Sequence, residues 1–132
     1  MGKYGGGAGE FDCPMGIAVD DNNEIFVVDC YNYRIQAFRL DGTFLRQWGS
    51  KGEKEGQFRS SPFGIVLNDD QVLVIDSSPC IHLFDRSGAF ISRWQPEVGE
   101  KEMQMDEPFG IAVADGVLYI TDWAGKRIQA FQ

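Results

Sequence analysis

Apolar residues come in short bursts along this chain, and one series of bursts occurs three times. The series opens on Pro14-Met15-Gly16-Ile17-Ala18-Val19, with copies at Pro62-Phe63-Gly64-Ile65-Val66-Leu67 and Pro108-Phe109-Gly110-Ile111-Ala112-Val113. The shared glycines lie 48 and then 46 residues apart, so the repeat tolerates small changes in loop length. In the first copy the opening run ends in Asp20-Asp21-Asn22-Asn23, which predicts a buried strand followed by a turn. Glu24-Ile25-Phe26-Val27-Val28-Asp29 is almost continuously apolar, the pattern of a strand covered on both faces. After a polar loop, Arg34 to Phe38 alternates, Asp41-Gly42 signals a hairpin, and Phe44 to Trp48 closes the unit. Four short strands, A to D, then make one antiparallel sheet per repeat.

The second copy predicts strands at 62–67, 71–76, 81–85 and 89–94, with Ser87-Gly88 in the place of Asp41-Gly42. The third predicts A, B and C at 108–113, 117–122 and 127–131, and no D strand follows. Aligning Phe11 on Phe58 places Met1 on Trp48 and Gly2 on Gly49, so residues 1–8 read as the end of a D strand and its connection to strand A. No helix is needed. Gly5-Gly6-Gly7-Ala8-Gly9 lacks the spacing and the following helix of a phosphate loop and reads as a flexible D–A connection.

Units of this kind bury a core only against one another, and four-stranded units at this period predict a β-propeller. The chain is expected to be all-β, one partial propeller over residues 1–132, with repeats at about 9–49, 56–95 and 104–132. Composition adds limits. The hydrophobic and charged fractions, 43% and 24%, suit a globular domain. A net charge of −8 opposes DNA or anionic membrane as primary partners. Cys13, Cys30 and Cys80 are odd in number without a CxxC pair, so buried or half-buried thiols are expected, not a disulfide framework or zinc site. No apolar run reaches the length of a membrane span and Met1 to Gly6 is not a secretory signal, so a cytoplasmic setting is expected.

The residue pattern resembles the NHL repeat family. Gly9-Glu10-Phe11, Pro14 to Val19, Val27-Val28-Asp29, Asn32-Tyr33-Arg34-Ile35-Gln36-Ala37-Phe38 and Trp48-Gly49 carry the resemblance. WD40 and kelch units fit worse, since their Trp-Asp and Gly-Gly landmarks are missing. The resemblance implies a propeller that usually closes with six blades, of which three repeats give about half. It also implies that Asp29 and Arg34, like Asp122 and Arg127, tie the B–C loop. The second repeat departs from the pattern: Asp76-Ser77-Ser78-Pro79-Cys80-Ile81 has neither the Asn nor the Arg. The third has Gly125 where the first has Asn32.

Catalytic constellations are sparse. His82 is the single histidine, on an expected C strand, so the multi-histidine zinc site of lyases that resemble NHL propellers cannot be assembled. The acidic A–B turns around Asp20 and Asp69 fit turn geometry better than calcium. No enzyme activity, cofactor or metal is expected, and ubiquitin-ligase activity would need a RING domain outside this chain. Binding is the better expectation. A–B and C–D turns share one face, with Asp20, Asp21, Glu24, Asp41, Asp69, Asp70, Asp85 and Asp115 against Arg39 and Arg86. The B–C/D–A face carries Lys3, Arg34, Lys51, Lys54, Arg59, Lys101, Lys126 and Arg127, together with the other twelve of the 20 carboxylates (20 − 8). Tyr4, Tyr31, Tyr33 and Trp123 lie there too, and Tyr, Trp and Arg favour recognition surfaces. Tyr31, Tyr33, Arg34, Trp123, Lys126 and Arg127 are the candidate contacts for a protein or peptide. The resemblance implies single-stranded RNA as an alternative, which the carboxylates disfavour, and self-association or completion by further blades as another.

Overall fold

A computed structural model describes residues 1–95 and 108–131. Within them the three repeats become three antiparallel sheets. The first runs in the order β1 (Pro14–Val19), β2 (Glu24–Asp29), β3 (Arg34–Arg39) and β4 (Phe44–Trp48). The second follows the same order with β5 (Pro62–Asn68), β6 (Gln71–Asp76), β7 (Cys80–Asp85) and β8 (Phe90–Trp94). The third consists of β9 (Pro108–Ala114), β10 (Val117–Asp122) and β11 (Arg127–Phe131). The expected start of the third repeat, 104–107, and Lys101 lie outside the described residues. Among the described residues one 3-10 turn, Cys30–Asn32, adds a helical element to a chain expected to need none.

Each sheet is a blade whose faces pack on its neighbours. Phe26, Val28, Ile35 and Ala37 of blade one meet Phe58, Ile65, Val72, Val74 and Phe84 around blade two. On the other side of blade two, Phe63, Ile75 and Ile81 meet Leu118 and Ile120 of blade three. Because side chains alternate along a strand, β6 sends Val72 and Val74 to one neighbour and Leu73 and Ile75 to the other. That division is why its sequence is apolar without interruption. Aromatic contacts repeat with the blades: Phe11, Phe38 and Phe44 pack in series, as do Phe58, Phe84 and Phe90. Trp48 touches Phe84 of the next blade, and Trp94 touches Phe131 in the same way.

The A strands β1, β5 and β9 lie side by side, which explains the glycine in the repeated motif. A Cβ on Gly16 would stand 2.6 Å from the Phe63 carbonyl oxygen, and one on Gly64 would stand 2.9 Å from the Ile111 and Ile75 methyls. Burial of the motif differs between copies. The expectation of a buried first strand is corrected here: Ile17 is 65% and Val19 54% exposed, whereas Ile65 of β5 is 6% exposed. The reason is position, since β5 is flanked by β1 and β9 while β1 has a neighbouring A strand on one side among the described residues.

The glycine-rich N-terminal run is built, and the expectation of a flexible connection is corrected as well. Gly2, Gly5 and Gly9 have φ values of 89°, 152° and 75°, matching 102°, 158° and 81° at Gly49, Gly52 and Gly56. The parallel bridges Tyr4–Phe11 and Lys51–Phe58 match too. Residues 2–11 therefore form a D–A loop like that of residues 49–58.

Candidate functional site

At the B–C/D–A end of blade one, an alternating C strand places Arg34 and Gln36 on the same side, beside Asp29 at the end of β2. Asp29 is fully buried, and Arg34 Nε donates to its Oδ2 at 2.7 Å. Arg34 Nη1 donates to Gly6 O (2.8 Å) and Gln47 Oε1 (2.9 Å), and Nη2 donates to Gly7 O and Glu10 O (both 2.9 Å). All five guanidinium N–H donors are thereby used. Gln36 completes the lock: Nε2 donates to Glu10 O and Asp29 Oδ2, and Oε1 accepts from Gly9 N. Asp29 also accepts from Asp12 N and Asn32 Nδ2. Arg34 binds its own D–A loop and has no donor left for a ligand.

Blade two satisfies the same buried carboxylate differently. Asp76 Oδ1 accepts from the Ser78 amide and hydroxyl and from Cys80 N, and Oδ2 pairs with His82 Nε2 at 2.8 Å. His82 takes the place of Gln36, since both lie opposite the residue two before the Asp. The His82–Asp76 pair has the geometry of a catalytic dyad, but both are buried and the Phe58 ring packs 4.7 Å from the imidazole. It supports the loop. Burial pushes the neighbouring Cys80 thiol up to about 11, which keeps it from acting as a thiolate at neutral pH. Beside these residues a cavity of about 150 Å³ is lined by Arg59, Cys80, His82, Arg93 and Gln95. In blade three Arg127 Nε donates to Asp122 Oδ2 at 3.2 Å, and the Arg127 side chain is 36% exposed.

The remaining candidates separate by exposure. Tyr31 is 60% and Trp123 71% exposed, and Lys126 is also at the surface. Tyr33 is half-buried against the core, with the Lys51 ammonium 5.5 Å from its ring centroid. Tyr33 and Lys126 occupy the same loop position and share a positive φ, 54° and 51°. On the opposite face Arg86 Nη1 donates to Asp20 Oδ2 (3.0 Å) and Asp21 Oδ1 (2.8 Å), fastening blade two to the first A–B turn. The Arg86 hydrogen bond holds the Asp21 carboxyl below its usual range. Asp20 Oδ1 accepts from Asn22 N and Glu24 N, so the acidic turn is shaped by its own backbone. Arg93 and Gln95 were not singled out from sequence, and Arg59 was named only among the basic residues of the face. The signal for Arg93 was the paired exchange of Arg34 and Gln47 for Cys80 and Arg93 at matching ladder positions.

The family model for the NHL repeat matches residues 11–38, the stretch holding Asp29, Arg34 and Gln36. The chain belongs to the NHL repeat family. It is 33% identical over 93 residues to the protein brain tumor of Drosophila melanogaster, covering 68% of this chain and 9% of that protein. It is 38% identical over 76 residues to the RING finger protein nhl-1 of Caenorhabditis elegans, covering 58% of this chain and 8% of that protein. Over 45 residues it is 44% identical to the protein lin-41 of the same organism. The chain thus spans under a tenth of the length of these curated relatives. Among solved structures, virginiamycin B lyase from Staphylococcus aureus matches with a TM-score of 0.64 at 18% identity, over 90% of this chain and 38% of that one. A catalytically inactive form of that lyase with Quinupristin matches with a TM-score of 0.66 at 20% identity. At that identity the likeness concerns the fold alone, a propeller of which this NHL chain supplies three blades.

Proposed function

We propose that this chain is a non-catalytic binding module that recognises a protein or peptide through its B–C/D–A loop face. The observation that carries the reading is Trp123, 71% exposed at a loop tip beside Lys126. An exposed indole next to a flexible cation is a ready anchor, because binding would desolvate a large apolar ring with little loss of rotamer freedom. Tyr31 and Tyr4 extend the same face. Arg34 is withdrawn from this surface and counts as scaffold. Single-stranded RNA fits less well, since the net charge is −8 and one of the basic groups of the face is buried in Arg34.

A second reading rests on the open sheet faces. Ile17 and Val19 of blade one and Phe109 and Ile128 of blade three are each more than half exposed. Further blades, from another copy or from flanking sequence, would cover them, and patches of this kind favour association. Light scattering at micromolar concentration tests this, and a compact monomer that never associates would refute it.

For the loop face, a peptide would be selected from a displayed library on the immobilised chain. Trp123→Ala should weaken that peptide by about 1–3 kcal/mol and leave the melting temperature unchanged. A larger loss from Asp21→Ala or Asp69→Ala would place recognition on the opposite face. Filter binding of mixed-sequence RNA at two salt concentrations checks the alternative, which needs steep salt dependence.

A further inference from the structure

We infer that the cavity in blade two is an anion pocket that takes a carboxylate side chain of an acidic peptide. This rests on the loop-face reading and adds ligand chemistry to it. In blade one the Arg34 guanidinium fills the angle between the B–C and D–A loops, donating to Gly6 O, Gly7 O and Glu10 O. The residue opposite the strand-ending Asp in blade two is Cys80, paired with Asp76 as Arg34 is with Asp29. Its side chain is far shorter than an arginine's, and the cavity of about 150 Å³ lies beside it. One water takes up about 30 Å³ of liquid volume, so a carboxylate with its adjoining methylene has room.

The arginine has moved strand. Arg93 of β8 lies opposite His82 as Gln47 of β4 lies opposite Gln36. Arg93 Nη1 donates to Glu53 O at 3.0 Å, the carbonyl that aligns with Gly6 O when Phe58 is set on Phe11. Arg34 is saturated and buried, whereas Arg93 is exposed and is held among the described residues through Nη1. Arg59 also lines the cavity, its side chain 44% exposed. Among the described residues it pairs with Glu53 Oε1 at 4.0 Å, on a side chain 83% exposed. That loose contact is the chain's own version of the proposed ligand. His82 forms part of the wall, and its Nδ1 has no hydrogen-bond partner.

Two guanidinium forks at one cavity select a planar oxyanion and repel a cation. The surroundings favour a single charge. The buried Asp76 carboxylate pairs with His82, and Glu53 Oε1 lies 4.0 Å from Arg59 Nε, so a dianion meets more repulsion than a carboxylate does. The net charge of −8 further opposes indiscriminate capture of anions.

The test is a titration of the full chain with a capped hexaglutamate peptide, read at the side-chain Nε–Hε resonances of Arg59 and Arg93 by NMR. Both should move and saturate together. Arg59→Gln and Arg93→Gln should each weaken binding by about tenfold or more. Glu53→Gln removes the internal competitor and should tighten it by about two- to fivefold. The paired change Cys80→Arg with Arg93→Gln rebuilds the arrangement of blade one, and should abolish the response while the chain stays folded. Inorganic phosphate at matched ionic strength should bind more weakly. Static Arg59 and Arg93 resonances, full binding by the paired variant, or tighter binding of phosphate would each overturn the pocket. Movement confined to Trp123 and Tyr31 would leave the loop-face reading standing and remove this one.

Discussion

Replacing Arg34 by alanine tests the central tie of blade one. The side chain is 9% exposed and joins a fully buried carboxylate to three carbonyls of the D–A loop and to Gln47. After truncation Asp29 Oδ2 keeps Asn32 and Gln36 as donors, and Glu10 O keeps Gln36. The carbonyls of Gly6 and Gly7 lie near the surface and can be rehydrated. What cannot be replaced is the positive charge beside Asp29. Loss of one partner of such a pair costs about 3 kcal/mol or slightly more, or roughly 10 °C in melting temperature for a domain of this size. Asp29→Ala strands Arg34 Nε and Asp12 N, while Asn32 Nδ2 keeps Gly5 O, and should cost a similar amount. The double variant should fall short of the sum by about 1–3 kcal/mol. Arg34→Lys should recover less than half of the loss, because one ammonium cannot reach acceptors spread over two loops. Urea and thermal unfolding followed by circular dichroism measure all four proteins. Exchange of the Gly9 amide, which donates to Gln36 Oε1, reports whether the loop is released. Additivity within about 0.5 kcal/mol, with the Gly9 amide still protected, would refute the tie.

Three further outcomes follow from the same geometry. His82→Gln installs the residue found at this position in blades one and three and should change stability by less than about 1 kcal/mol, whereas His82→Ala, which strands buried Asp76 and leaves Phe58 unsupported, should cost about 2–4 kcal/mol in urea unfolding. Gly16→Ala should destabilise by about 1–3 kcal/mol through its clash with the next A strand. Gly110→Ala, whose nearest neighbour is the Thr121 hydroxyl at 3.1 Å, should cost less in the same assay. Burial raises the Cys80 thiol from 9.0 to about 11, so the folded state favours the neutral thiol. Its contribution is complete below pH 9 and is lost as pH rises through 11. Melting temperatures between those values should fall less steeply for Cys80→Ala.

Much of this molecule is written in its local pattern. The three-fold recurrence of the Pro-x-Gly motif, the unbroken apolar B strands and the Asp-Gly and Ser-Gly turns set every sheet, because strand period and turn chemistry act over a few residues. The B strands 24–29, 71–76 and 117–122 have the bounds that the pattern predicts. The alignment of residues 1–11 on the later D–A loop also follows from sequence, and matching φ values at the paired glycines express it. Other properties arise between elements distant in the chain. Copies of one motif are exposed in β1 and buried in β5 because burial depends on which blades flank them. The glycine run looks loose by composition, yet it is held by Arg34 and Gln36 from a strand more than 20 residues away. Arg34 could be read as a tie or a contact until its five donors found five acceptors. The cavity of blade two is the clearest case. Cys80 and Arg93 are unremarkable residues on separate strands, and only the ladder that sets them beside His82 and Arg59 turns a missing guanidinium into a space lined by two others.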